Sequence, residues 1–190
     1  MKNESKATTK ATYNIERAPK QPYQPAVWQG TFHVEHFNKD GEFLGEWESK
    51  NGITNEGVQY LLNLGLNPDG AETQASNWYM SIFGTGETLA DTDGGGSHAG
   101  WTEVSGTTRK EWVLDDISGT TRQISNTATV DIEIPTVATD TLIGGIFIID
   151  NLTSDTASQT IFSTTAFTTD PTVNTGDTLK VTYTVGIAAT

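Results

Sequence analysis

Leu179, Val181, Tyr183, Val185 and Ile187 alternate without a break with Lys180, Thr182, Thr184 and Gly186. A period of two puts one set on each face of an extended chain, so this segment is a half-buried β-strand and not a helix. Two more stretches share the pattern. Ile124, Ala128, Val130, Ile132 and Ile134 alternate with Ser125, Thr127, Thr129, Asp131 and Glu133, and Trp28, Phe32 and Val34 alternate with Gln29, Thr31, His33 and Glu35. Asn38-Lys39-Asp40-Gly41 then reads as a hairpin turn, with Gly41 free to take a positive φ. The return strand sets Phe43 and Trp47 on one face and Glu42, Glu46 and Glu48 on the other.

Leu142 to Asp150 is apolar on both faces, as a central strand must be. Trp78, Met80 and Ile82 mark another strand, Gln159 to Phe167 a further one, and Glu111 to Asp115 a short one anchored by Trp112. The one helical pattern is residues 54–64, capped by Thr54 or Asn55, with Val58, Leu61, Leu62 and Gly65 sharing a face. Gly65 and Asn67-Pro68-Asp69-Gly70 stop it. About eight strands with one inserted helix predict an all-β, two-sheet β-sandwich, jelly-roll or immunoglobulin-like, whose strand order the sequence leaves open.

Charge divides the chain. Lys2, Lys6, Lys10, Arg17 and Lys20 face only Glu4 and Glu16 in the first twenty residues, whereas residues 51–190 hold four basic side chains against seventeen acidic ones. Pro19, Pro22 and Pro25 favour extended geometry in the basic leader, where Tyr13, Ile15 and Tyr23 are the large side chains. Residues 1–27 are therefore expected to be a docking arm that orders on a partner, and residues 28–190 the sandwich. The arm residues expected to bind are Lys2, Lys6, Lys10, Tyr13, Ile15, Arg17, Lys20 and Tyr23.

Net charge −13 argues against nucleic acid as the body's partner, since cations dense enough to neutralise phosphates are missing. No cysteine is present, which removes disulfides, thiolate catalysis and cysteine metal sites. The leader has no apolar core of a secretory signal, and the longest apolar run, Leu142 to Ile149, is strand-length, so a chain made in a cytoplasm with no membrane partner is expected.

Chemistry-bearing constellations fail on spacing. Asp91-Thr92-Asp93-Gly94 resembles the opening of a calcium loop, but its twelfth residue is Thr102 where a bidentate Glu is required. His33 and His36 fall on opposite strand faces and cannot share a metal. Ser97 and His98 are neighbours without a nucleophile turn, and the Asp115-Asp116 pair lacks an evident sugar-binding frame. The expectation is no enzyme, no cofactor and no metal. Trp28, Trp47 and Trp78 read as core, which leaves Asp91, Asp93, His98, Trp101 and Trp112 as the candidate surface contact loop, with the two tryptophans available to line a carbohydrate groove.

Several segments resemble a known family in combination. They are Asn51-Gly52-Ile53-Thr54-Asn55-Glu56-Gly57-Val58-Gln59-Tyr60-Leu61-Leu62, Trp78-Tyr79, Ser97-His98-Ala99-Gly100-Trp101-Thr102-Glu103, Arg109 with Trp112, Gly144-Gly145-Ile146-Phe147, and Gly176 to Val185. In this order they resemble small virion structural proteins of tailed bacteriophages, either capsid decoration (cement) proteins or small tail and fibre components. The resemblance covers about residues 48–188 and leaves residues 1–47 outside. It implies a non-enzymatic β-sandwich on the capsid surface, bound to the major capsid protein as a trimer or dimer. The alternative it implies is a tail fibre or tail-tip component that binds host glycans.

Overall fold

The alternation at residues 179–187 becomes the longest strand pairing of the molecule. A computed structural model describes residues 26–67, 74–115, 122–153 and 158–189. The expected arm lies outside the described residues except for Ala26 and Val27, which already belong to the first strand. The strands are β1 (Ala26–Phe37), β2 (Phe43–Asn51), β3 (Tyr79–Gly84), β4 (Lys110–Glu111), β5 (Gln123–Ser125), β6 (Val130–Glu133), β7 (Thr141–Ile149), β8 (Ile161–Ala166), β9 (Thr172–Val173) and β10 (Thr178–Ala189), with helix α1 (Asn55–Leu66) between β2 and β3.

Two antiparallel sheets face each other, as an all-β sandwich requires. In the first, β2, β1 and β10 lie side by side, and β5 and β6 follow one another along the far side of β10. In the second, β4, β3 and β7 lie side by side, with β8 and β9 in succession along β7. β1 pairs with β10 from Ala26↔Ala189 to Phe37↔Thr178, so the first and last strands zip together over twelve residues.

Between the sheets, Phe32, Val34, Met80, Ile82, Ile132, Ile143, Ile146, Ile148, Leu179, Val181 and Tyr183 are fully buried. Phe32 stacks on Tyr183 with ring centroids 4.1 Å apart. β7 is buried on both faces, as its unbroken apolar run requires, with Phe147 and Ile149 forming a second cluster against Phe83, Trp101 and Ile161.

Both seams of the sandwich are stitched. Along one, Ser49 Oγ donates to the Ala166 carbonyl (2.9 Å), Asn51 Nδ2 donates to the Thr164 carbonyl (3.2 Å), and Ile53 bridges Ser163. Along the other, Asp115 N donates to Ser125 O (2.8 Å), Thr127 N donates to Val113 O (3.0 Å), and Leu114 bridges Asn126. These contacts occupy backbone groups that an open sheet would offer to another chain.

The hairpin turn forms as expected. Gly41 has φ 81°, its N–H donates to the Asn38 carbonyl, and Asn38 Oδ1 accepts from the N–H groups of Asp40 and Glu42.

The helix meets the core with Leu61 of the expected face, but it is turned so that Leu62 and Gly65 of that face are exposed. Thr54 is its N-cap, accepting from Gly57 N at 3.0 Å, but the buried helical residues are Gly57 and Tyr60, while Leu62 and Leu66 are exposed. A Cβ on residue 57 would strike the Phe162 carbonyl and the Ile53 side chain, so glycine lets the helix sit directly on β8.

The expected strand through residues 124–134 is two strands. Ala128 is exposed, and the side chain of Asn126 takes over the ladder by accepting from Tyr183 N (2.8 Å) and donating to Val181 O (3.0 Å). The stretch from Glu111 to Asp115 contributes only the end of β4 and the Leu114 bridge. No helix among the described residues is long and apolar enough to cross a membrane.

Candidate functional site

The long acidic loop between β3 and β4 is built inward. Asp93 is buried, and its Oδ2 accepts from Trp101 Nε1 at 2.9 Å and from Ala90 N at 3.1 Å. Trp101 is buried against Phe83 and Phe147, with centroids 5.0 and 4.9 Å away, and the half-buried His98 ring covers it at 3.9 Å. The helix start holds the same loop. Glu56 Oε2 accepts from Gly95 N (3.2 Å) and Ile161 N (2.9 Å), and Asn55 N donates to Asp91 O (2.9 Å).

Downstream, the almost fully buried Arg109 guanidinium donates to Glu103 (Nη2–Oε2 2.8 Å) and to the Asn151 carbonyl (3.0 Å), and lies 5.4 Å from the Phe147 ring centre. Trp112 is 4% exposed and meets Tyr183 edge-on at 5.1 Å.

The expected contact surface of Asp91, Asp93, His98, Trp101 and Trp112 is therefore not a surface. Asp91 is exposed and His98 partly so, while Asp93, Trp101 and Trp112 are internal. The physical reason is that a glycine-rich loop of this length folds over its own tryptophan, with a carboxylate satisfying the indole N–H. Trp101 is packed inside the loop, while Trp112, though 4% exposed, borders a shallow groove with Trp78, Glu111 and Leu114. The arm residues Lys2, Lys6, Lys10, Tyr13, Ile15, Arg17, Lys20 and Tyr23 lie outside the described residues, as does Asp116 of the acidic pair. Among the described residues, the strongly shifted titration belongs to the core phenol of Tyr183. Burial pushes it up to about 12, against the opposing hydrogen bonds with Ser163 and Asn51.

A different surface stands out where the basic leader enters the fold. Trp28 follows the inward alternation of Phe32 and Val34, and Ile187 follows that of Tyr183 and Val185, yet Trp28 is 40% and Ile187 37% exposed. They are register partners on β1 and β10. The alternation continues past the point where burial stops, so the expectation that Trp28 is core is corrected: it sits on an overhang of the first sheet. Trp47 and Trp78 do pack against the core.

Two shallow grooves flank this end and share Gln29 and Thr31. One, of about 420 Å³, is lined by Trp28, Lys50 and Asn51, and the other, of about 180 Å³, by Arg122, Gln123 and Ile187. Lys50 and Arg122 extend the positive character of the leader onto the body at its point of attachment. Sequence reasoning missed this pole because alternation gives the face a residue points to and not how far the opposite sheet reaches. The contrast between Trp28 and its polar neighbours Gln29 and Thr31 was the available signal.

No family model matches the chain, and no curated protein matches it.

Proposed function

We propose that this chain is a virion structural protein of a tailed bacteriophage, a capsid decoration protein that binds the assembled head shell. The basic leader, residues 1–25, straps onto the major capsid protein, and the body docks beside it. The observation that carries this reading is the pole at the root of the leader, where Trp28 and Ile187 are exposed and the two grooves beside them are lined by Lys50 in one and Arg122 in the other. Exposed apolar side chains with a cation in each neighbouring groove suit an acidic protein partner with its own apolar anchor points.

The leader is mounted to bear load. It runs into β1, which is paired on both sides, to β10 over its full length and to β2 from Gly30 to Phe37. A pull along the leader is shared by many parallel hydrogen bonds instead of peeling an edge strand. Exposed Leu62 and Leu66 on α1 supply apolar area for self-association, and a trimer or dimer would multiply weak strap contacts through effective concentration.

The test is co-sedimentation of the protein with assembled heads. Removal of residues 1–25 is expected to abolish binding while leaving the circular dichroism and melting of the body unchanged; undiminished binding after truncation removes the strap. Copy number on purified virions separates head from tail. Hundreds of copies support a decoration protein, and a dozen or fewer place the chain in a tail fibre or tip.

A further inference from the structure

Two glutamates stand directly opposite each other on the outward face of the first sheet. Glu35 of β1 and Glu46 of β2 are register partners, and His33 lies two residues before Glu35 on the same face. The His33 Nε2 is 3.7 Å from Glu46 Oε2, and the donor atoms of all three side chains lie within 4.8 Å of one another. Like charges directly opposed in an antiparallel pair repel.

The neighbouring cation does not relieve them. Lys180 faces Glu35 from β10, but its ammonium goes to Asp131 at 3.0 Å and lies 5.7 Å from the Phe37 ring centre. Among the described residues, no lysine or arginine pairs with Glu35 or Glu46. The backbone under the three side chains is fixed, because β1 is hydrogen-bonded on both sides.

We propose that His33, Glu35 and Glu46 form a binding site for a divalent first-row cation, with Zn²⁺ as the best match. One imidazole nitrogen and two carboxylate oxygens form a donor set that suits zinc, and two negative charges supply the attraction. Donors about 2.1 Å from a tetrahedral zinc sit about 3.4 Å apart, so His33 and Glu46 need to close by only a few tenths of an ångström. The side chains of His33 and Glu46 are 44% and 59% exposed, which leaves the remaining coordination position open to water or to a side chain of another molecule.

The expectation of no metal weighed His33 against His36, which points into the core. The ligand partner of His33 is instead across the strand. Only the register of β1 with β2, with its irregularity between His36 and Phe37, brings Glu46 there.

The experiment is calorimetric titration of ZnCl₂ into the EDTA-stripped full chain, alongside melting with and without Zn²⁺. One saturable site per chain and a raised melting temperature are expected. His33→Gln and Glu46→Gln should each weaken binding at least tenfold and abolish the thermal shift, while Glu111→Gln on the other sheet leaves both unchanged. Without metal, Glu46→Gln should melt higher than the parent, because the opposition to Glu35 is gone. Absence of saturable binding up to millimolar Zn²⁺, or undiminished affinity in the His33 and Glu46 variants, overturns the site. A lower metal-free melting temperature for Glu46→Gln overturns the electrostatic argument beneath it.

Discussion

The Nε2 of His36 lies 2.9 Å from Oδ2 of Asp177, with side chains only 6% and 5% exposed. The same Asp177 oxygen accepts from Asn174 N at 2.9 Å, in the turn that delivers the chain from β9 into β10. A carboxylate 141 positions along the chain thus fastens the inner face of β1 to the start of its partner strand. This contact closes the lower end of the β1–β10 ladder, opposite the overhang where the basic leader enters.

Removing that carboxylate leaves a buried imidazole and a turn N–H without their acceptor. Asp177→Ala is expected to destabilise the fold by about 2–3 kcal/mol, the usual cost of stranding buried polar partners. Asp177→Asn keeps one acceptor oxygen and should lose less than half as much. Urea denaturation of both variants checks this, and equal losses would show that turn geometry, not the His36 contact, matters.

Gly57 reverses a common rule. In an exposed helix interior, Gly→Ala adds about 1 kcal/mol of stability. Here the new Cβ meets the Phe162 carbonyl and Ile53, so Gly57→Ala should lift α1 off β8 and cost about 1–3 kcal/mol. A thermal melt distinguishes the two signs directly.

Trp101 separates a structural loop from a ligand-binding one. Trp101→Phe removes the N–H that Asp93 accepts and leaves a gap beside Phe83 and Phe147, for an expected loss of about 2–3 kcal/mol. Head binding at a temperature where the variant is folded should equal the parent's. A variant of parental stability that no longer binds would return Trp101 to the contact surface.

The same residues mark what the sequence made legible. Alternation was readable in β1, β6 and β10 because each has one face on the core and one outside, and the continuous apolar run of β7 announced a strand buried on both sides. Trp28 misled because parity says nothing about where the second sheet ends. Trp101 and Trp112 lie outside regular strands, where no periodicity reports burial, so their internal positions emerged only with the Asp93 contact and the Tyr183 ring. The helix was turned by a glycine, since close approach at Gly57 outweighed the larger apolar surface of Leu62. The His33, Glu35 and Glu46 cluster spans two strands, and spacing within one strand cannot reveal it.

Tyr183 gives the sandwich a defined alkaline limit. Its hydroxyl lies 3.0 Å from Ser163 Oγ beneath the close-packed Gly30, and burial holds its pKa at about 12 against an ordinary value of 10.0. Below pH 10 the phenol is protonated in both folded and unfolded chains and adds no pH dependence. Between pH 10 and 12 the unfolded chain releases the proton and the folded chain largely keeps it, so stability falls by about 1 kcal/mol per pH unit from this group. Tyr183→Phe removes that slope while losing the hydroxyl's hydrogen bond, a cost of about 1 kcal/mol at neutral pH. The variant should therefore be the less stable protein at pH 7 and the more stable one near pH 12. Other titrating groups contribute alike to both proteins, so the crossing in urea midpoints isolates Tyr183, and parallel curves from pH 7 to 12 would mean the phenol ionises in place.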